Sequence, residues 1–126
     1  MSQELARRFF DEFVTAFAAF DGALVAQRYL SPYLACSGPG ALRVFVSGEE
    51  IGTYFQGILD DYRARGCRSC CYRDLEVVAL GADCALASVT WELLDASGAV
   101  VTHWRESYNL CRVDGRFRVF ASTDHA

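Results

Sequence analysis

Apolar positions recur at helical spacing in the first half of the chain and at alternate positions through the second half. The spacing predicts a first helix over about Gln3 to Phe20. There Leu5, Phe9, Phe13 and Phe17 return every four residues, and Phe10, Val14 and Phe20 widen the stripe. Asp21 is placed to cap a short second helix through Leu30, which Ser31-Pro32 ends. Short strands over Tyr33–Ser37 and Ala41–Val46 flank Gly38-Pro39-Gly40. A third helix opens on the capping box Ser47-x-x-Glu50, carries Ile51, Tyr54, Phe55, Ile58, Leu59 and Tyr62 on one stripe, and stops at Gly66. Strands follow at Cys70–Leu80, Cys84–Leu94, Ala99–Arg112 and Arg116–Thr123, the last two joined by the hairpin signal Asp114-Gly115. Helices first and strands after read as an α+β fold, with a mainly antiparallel meander covered on one face by the helices.

Hairpin turns set the expected register. A Ser97-Gly98 loop puts Trp91 opposite Trp104, Val89 opposite Glu106 and Ala87 opposite Tyr108. An Asp114-Gly115 loop puts Leu110 opposite Val119, Tyr108 opposite Ala121 and Glu106 opposite Thr123. One sheet face then carries Ala85, Ala87, Val89, Trp91, Leu93, Trp104, Tyr108, Leu110, Phe117, Val119 and Ala121. The other carries Ser88, Thr90, Glu92, His103, Arg105, Ser107, Asn109, Arg118 and Ser122. Glu106 is the one carboxylate on the apolar face, and small residues beside Tyr108 leave room above the sheet. A cavity holding Glu106, Tyr108, Trp91 and Trp104 is expected, since ligand pockets are mostly apolar with a few polar anchors.

At this point two stretches carry a likeness to a known family. One runs from Gly81-Ala82-Asp83-Cys84 through Trp91 to Asp95-Ala96-Ser97-Gly98. The other is Arg105-Glu106-Ser107-Tyr108-Asn109-Leu110, then Arg112 to Val119 and Ser122-Thr123-Asp124-His125. The chain resembles the nuclear transport factor 2-like superfamily, whose cystatin-like fold is a cone of helices on a curved sheet. It is similar to the SnoaL-like proteins and to the association domain of calcium/calmodulin-dependent kinase. The resemblance covers nearly the whole chain and implies one domain over residues 1–126. It implies a ligand site inside the cone, with Tyr54, Phe13 and Phe17 joining the sheet residues, and pairing of two copies through the outer sheet face. Steroid isomerase chemistry is not implied. The tyrosine that those relatives carry on the first helix is absent among phenylalanines here, and Ser31-Pro32-Tyr33-Leu34 offers no aspartate for their base.

Composition narrows the function classes. The 126 residues carry a net charge of −4, which disfavours nucleic acid and anionic membrane as partners. No apolar run nears the ~18 residues of a membrane span. The N-terminal stretch lacks the order of a signal peptide, so the expected location is cytoplasmic and the six cysteines are expected as thiols. Cys67-x-x-Cys70-Cys71 is half of a zinc pattern without its second pair, so no metal is expected, and no cofactor motif is present. His103 falls on the polar face between Glu92 and Arg105. Asp124 reaches the cone mouth if the last strand curls; the alternative is a frayed end that includes His125.

Glu106 is the candidate catalytic group, and Trp91, Trp104, Tyr108, Tyr54, Phe13 and Phe17 are candidate substrate contacts. The competing reading of Glu106 is structural, satisfied by Tyr54, Thr123, Arg28 or Arg43. Buried without a cation, its pKa rises and it becomes a base near neutral pH. The leading expectation is a homodimer binding a small hydrophobic molecule, with isomerisation, dehydration or cyclisation by proton transfer as its chemistry. The alternative is a non-catalytic oligomerisation module whose cone is filled by its own side chains.

Overall fold

A computed structural model describes residues 1–125. Helix α1 spans Ser2–Ala18 and buries Ala6, Phe9, Phe10, Phe13 and Phe17 along the expected stripe. Helix α2 spans Gly22–Ala26, and the Asp21 carboxylate accepts the Ala23 N–H at 2.9 Å as its N-cap. The expected second helix is therefore too long. The chain is already extended at Tyr29, where β1 (Tyr29–Cys36) begins and pairs with Val119 far along the sequence. That pairing puts Tyr29, Tyr33 and Ala35 on the buried side, a gain that local helical periodicity cannot register. Strand β2 (Leu42–Phe45) follows, then α3 (Gly48–Ala64). The Ser47 hydroxyl caps α3 by accepting the Glu50 N–H at 3.2 Å, and the Glu50 carboxylate reaches back to the Val46 N–H at 3.0 Å.

The remaining strands are β3 (Ser69–Leu80), β4 (Cys84–Leu94), β5 (Val100–Val113) and β6 (Arg116–Asp124). They form one six-stranded sheet in the order β2-β1-β6-β5-β4-β3. Every pairing is antiparallel except β1 with β6. Helix α1 packs on β3 and β6, whereas α3 packs on α2, β1 and β2. Asp114 and Gly115 both take positive φ, 53° and 78°, as a two-residue type I′ hairpin turn requires. No helix among the described residues is long and apolar enough to cross a membrane.

The β4/β5 register is the expected one from Leu93 to Cys84, with Trp91 opposite Trp104, Val89 opposite Glu106 and Ala87 opposite Tyr108. The β5/β6 register is not. Leu110 pairs with Val119 as expected, but Asn109 pairs with Ala121, so Phe120 is an extra residue on β6. This bulge moves each later partner by one and exchanges the two faces. Tyr108 opposes Ser122 rather than Ala121, and Glu106 opposes Asp124 rather than Thr123. Ser122, expected on the wet face, is buried. Further irregularities in β3 and at the end of β4 add to the bending of the sheet into a cone.

Helix α2 meets α3 at very close range. A Cβ on Gly22 would stand 2.4 Å from the Gly52 carbonyl oxygen and 2.7 Å from the Gln56 nitrogen, both backbone atoms. The Gly22 N–H also donates to Gln56 Oε1 at 2.7 Å. Gly22→Ala is expected to force the helices apart and cost about 1–3 kcal/mol, the usual range for overpacking. Chemical denaturation against wild type checks this, and an unchanged midpoint would contradict the close contact.

Candidate functional site

The inner face of the sheet, α1 and α3 enclose a cavity of about 170 Å³. All seven candidate residues line it: Glu106, Trp91, Trp104 and Tyr108 from the sheet, Phe13 and Phe17 from α1, and Tyr54 from α3. The structure adds Tyr29, Tyr33, Tyr62, Cys70, Ser122 and Asp124. Of these, only Asp124 had been considered from sequence. The signal for the rest of β6 is slight: three apolar residues in succession, Val119-Phe120-Ala121, interrupt the alternation.

Glu106 is 9% exposed. The expected structural partners are not the ones it has. Arg28 is engaged with Glu12 at 3.1 Å, and Arg43 lies over the rings of Phe45 and Tyr54. Thr123 is exposed and opposes Ser107. Among the described residues no basic side chain lines the cavity. Instead the Trp104 indole N–H donates to Glu106 Oε1 at 2.9 Å. The Trp91 N–H donates to the Tyr108 hydroxyl at 2.7 Å, so that oxygen acts as an acceptor and keeps its own proton to give elsewhere.

The second carboxyl is the decisive neighbour. The His125 N–H donates to the Arg105 carbonyl at 2.9 Å, which makes Arg105 and His125 a hydrogen-bonded pair. The adjacent Glu106 and Asp124 are therefore a non-hydrogen-bonded pair, the position at which cross-strand side chains stand closest. Asp124 is not frayed. It ends β6, and His125 is pinned beyond it by its backbone and by a 2.7 Å contact between Nε2 and the Ser107 hydroxyl.

Burial, and then the charge of Asp124, push the Glu106 carboxyl well above the ordinary value. Partial burial raises Asp124 as well, opposed by its hydrogen bond to Glu106 and by His125. Two carboxyls facing each other across such a pair cannot both ionise cheaply, and the fully buried Glu106 is the one pushed toward its protonated form. The deeper Glu106 holds that proton and the half-exposed Asp124 accepts its hydrogen bond. Burial keeps the phenols of Tyr29, Tyr33 and Tyr108 protonated, and the Tyr33 hydroxyl is hydrogen-bonded to Ser122. Among the described residues, the pair supplies the only carboxyl groups of the cavity wall.

The cysteines do not converge. Cys70 opposes Leu93 on the inner face, while Cys71 opposes Glu92 on the outer one. Cys84 and Cys111 oppose each other across β4 and β5. All six are free thiols. Among the described residues no group of three or more His, Cys, Asp or Glu side chains is placed to hold a metal ion. His103 is exposed opposite Glu92 and stands apart from the cavity.

The comparisons with known proteins agree on the architecture. A family model described as NTF2-like protein (DUF6841) matches residues 3–126. No curated protein matches the chain. Among solved structures, the chain is similar to an NTF2-like protein with a cystatin-like fold from Novosphingobium aromaticivorans. The two share 14% identity and a TM-score of 0.76, over 98% of this chain and 80% of the other. An NTF-2-like protein of unknown function from Shewanella oneidensis gives 12% identity and a TM-score of 0.76, over 98% of both chains. A putative calcium/calmodulin-dependent protein kinase II association domain from Xanthomonas campestris gives 20% identity and a TM-score of 0.69, over 95% of this chain and 85% of that one. With a six-stranded bent sheet, a helical cover and a family model spanning nearly its full length, the chain belongs to the NTF2-like family.

Proposed function

We propose that the protein binds a small molecule of about one ring in size in the cone and moves a proton on it with the Glu106–Asp124 pair. The single observation that carries this reading is a cavity in which, among the described residues, the only acidic or basic side chains of the wall are two opposed carboxyls, with His125 beside Asp124 outside the lining and no arginine within it. A side-chain network built for stability alone would favour an arginine there, because a buried carboxylate without a counter-charge weakens the fold. The volume sets the size class: an apolar cavity of about 150 Å³ accepts benzene, and this one is about 170 Å³.

The pair supplies both halves of a proton transfer. Protonated Glu106 donates at one atom of the ligand, ionised Asp124 takes a proton from another, and their mutual hydrogen bond returns the proton to Glu106. No net proton is consumed, which suits isomerisation, dehydration or cyclisation without a cofactor. The filled-cone alternative is disfavoured by the open volume between Phe13, Phe17, Trp91 and Trp104.

The chain has two tryptophans, and both line the cavity, so intrinsic fluorescence reports occupancy directly. Titration with a panel of single-ring alcohols, ketones and amines is expected to change tryptophan emission saturably for at least one class. No saturable change with any of them would return the protein to the oligomerisation reading. For a compound that is turned over, Glu106→Gln should keep affinity and lose rate by about a hundredfold or more.

The same reading assigns the outer sheet face to a second copy of the chain. Strand register aligns Val44, Leu34, Ala121, Asn109, Leu86 and Val78 in one row across all six strands. Leu34, Val44 and Val78 in that row are exposed, as is the bulged Phe120. A row that is apolar on five of the six strands, broken by Asn109 alone, calls for a cover, and a self-complementary face gives a two-fold dimer. Light scattering at micromolar concentration should give the mass of a dimer, and Leu86→Arg should give a folded monomer. A monomeric wild type would contradict the assignment.

A further inference from the structure

We infer that the ligand of the cone is a small organic cation, a protonated amine or quaternary ammonium, seated among aromatic rings with its charge toward Glu106 and Asp124. This rests on the reading of the cavity as a ligand site and narrows it to one chemical class.

Three independent features of the wall point the same way. The first is the sign of its charge. Among the described residues lining the cavity, only Glu106 and Asp124 have an acidic or basic side chain, and both are acidic. Sharing one proton, the pair bears a single negative charge, which one ammonium group neutralises without leaving an excess.

The second feature is the aromatic density. Ten of the 21 lining residues are Phe, Tyr or Trp, contributed by α1, α3, β1, β4 and β5. Ring faces carry the negative part of the aromatic quadrupole and attract a cation placed over them. An aliphatic wall would bury an apolar ligand equally well without that electrostatic bias.

The third is the state of the hydrogen-bond donors. An anionic or oxyanion-forming ligand is held best by free N–H groups aimed at it, and tyrosine and serine hydroxyls are the other strong donors in this wall. Both indole N–H groups are already engaged within the wall, Trp104 on Glu106 and Trp91 on the Tyr108 hydroxyl. The Tyr33 hydroxyl is engaged with Ser122. Arg43 and Arg65 approach the rings of Tyr54 and Tyr62, at 4.9 and 5.7 Å from their centroids. Both arginines are exposed and neither lines the cavity, so water and salt screen their repulsion of a cation inside.

The test uses three single-ring probes of nearly equal size and different charge: benzylamine, benzyl alcohol and benzoate. Each is titrated into the wild-type protein at neutral pH with tryptophan emission as the readout. Benzylamine is expected to bind at least tenfold more tightly than benzyl alcohol, with benzoate the weakest. Asp124→Asn should weaken benzylamine at least tenfold and benzyl alcohol by much less, a split that attraction to the acidic surface as a whole does not produce. Should that variant fail to fold, the wild-type ranking decides alone. Benzyl alcohol or benzoate binding as tightly as benzylamine would overturn the cation inference while leaving the ligand site standing. Binding of none of the three would overturn the inference together with the small-molecule reading on which it rests.

Discussion

Glu106→Gln is expected to raise the melting temperature of the protein, by an increment that grows with pH. Glutamine keeps the shape of the side chain and an oxygen for the Trp104 N–H, which donates to Glu106 at 2.9 Å. Its amide group then donates to the Asp124 carboxylate. What disappears is a buried carboxyl whose pKa is lifted by burial and by Asp124. A lifted pKa means that the folded state holds the proton more tightly than the unfolded one. The stabilisation from this group is therefore complete below the ordinary glutamate value of about 4.3, and it is lost as pH rises through the lifted value. Each unit of lift is worth about 1.4 kcal/mol, or roughly 4 °C at this chain length. Wild type and variant should melt together near pH 4. At pH 9 the variant should melt higher by on the order of 10 °C. Thermal melts across that range test it. A variant that is less stable at every pH would mean that Glu106 serves the fold through a partner that the carboxyl pair does not account for.

Phe10→Ala is expected to be the most damaging of the α1 substitutions. Phe10 is fully buried, and its ring lies 5.0 to 5.8 Å from those of Phe9, Tyr72, Trp91 and Tyr108. It does not line the cavity, so every side of the ring is in contact with protein. Removing it loses the transfer energy of the ring and leaves a void, about 3–5 kcal/mol together. That is a large part of the 5–15 kcal/mol typical of a folded domain. Phe17 is also buried, but one side of it already faces the cavity, so Phe17→Ala should cost less. Parallel urea denaturation ranks the two, and equal losses would mean that the cavity is filled in solution.

The legible part of this protein is the part written in alternation. Trp91, Val89 and Ala87 could be set against Trp104, Glu106 and Tyr108 because one turn and a period of two determine that pairing once one face must be buried. Glu106, Trp91, Trp104 and Tyr108 followed from it, whereas Tyr54, Phe13 and Phe17 became site residues only through the family resemblance, which puts the ligand between sheet and helices. Two features were out of reach for physical reasons. The bulge at Phe120 inserts a residue where both neighbours are compatible with either face, so counting alternate positions carried Ser122 to the wrong side. With that slip the partner of Glu106 was misassigned as Thr123, and Asp124, the group that shares its proton, was weighed against a frayed end. The early start of β1 depends on Tyr29 meeting Val119, a long-range contact that no local window contains. The cavity was expected from small residues beside Tyr108, and Ala87 does stand there with Ser122 as its counterpart across β5. Its volume belongs to the packing of whole side chains and has no signature in residue order.

The shared proton of Glu106 and Asp124 is the claim on which the rest depends, and carbon-13 NMR observes it without a ligand. Selective labelling of the two side-chain carboxyl carbons, followed by a pH titration, gives two macroscopic ionisations. The account predicts one step displaced well above the ordinary carboxylate range and felt at both carbons; it should be absent in Glu106→Gln and lowered in Asp124→Asn, where burial alone still holds Glu106 above that range. Two independent steps near pH 4 would mean that both groups ionise freely, and the proton-transfer reading would fall with them.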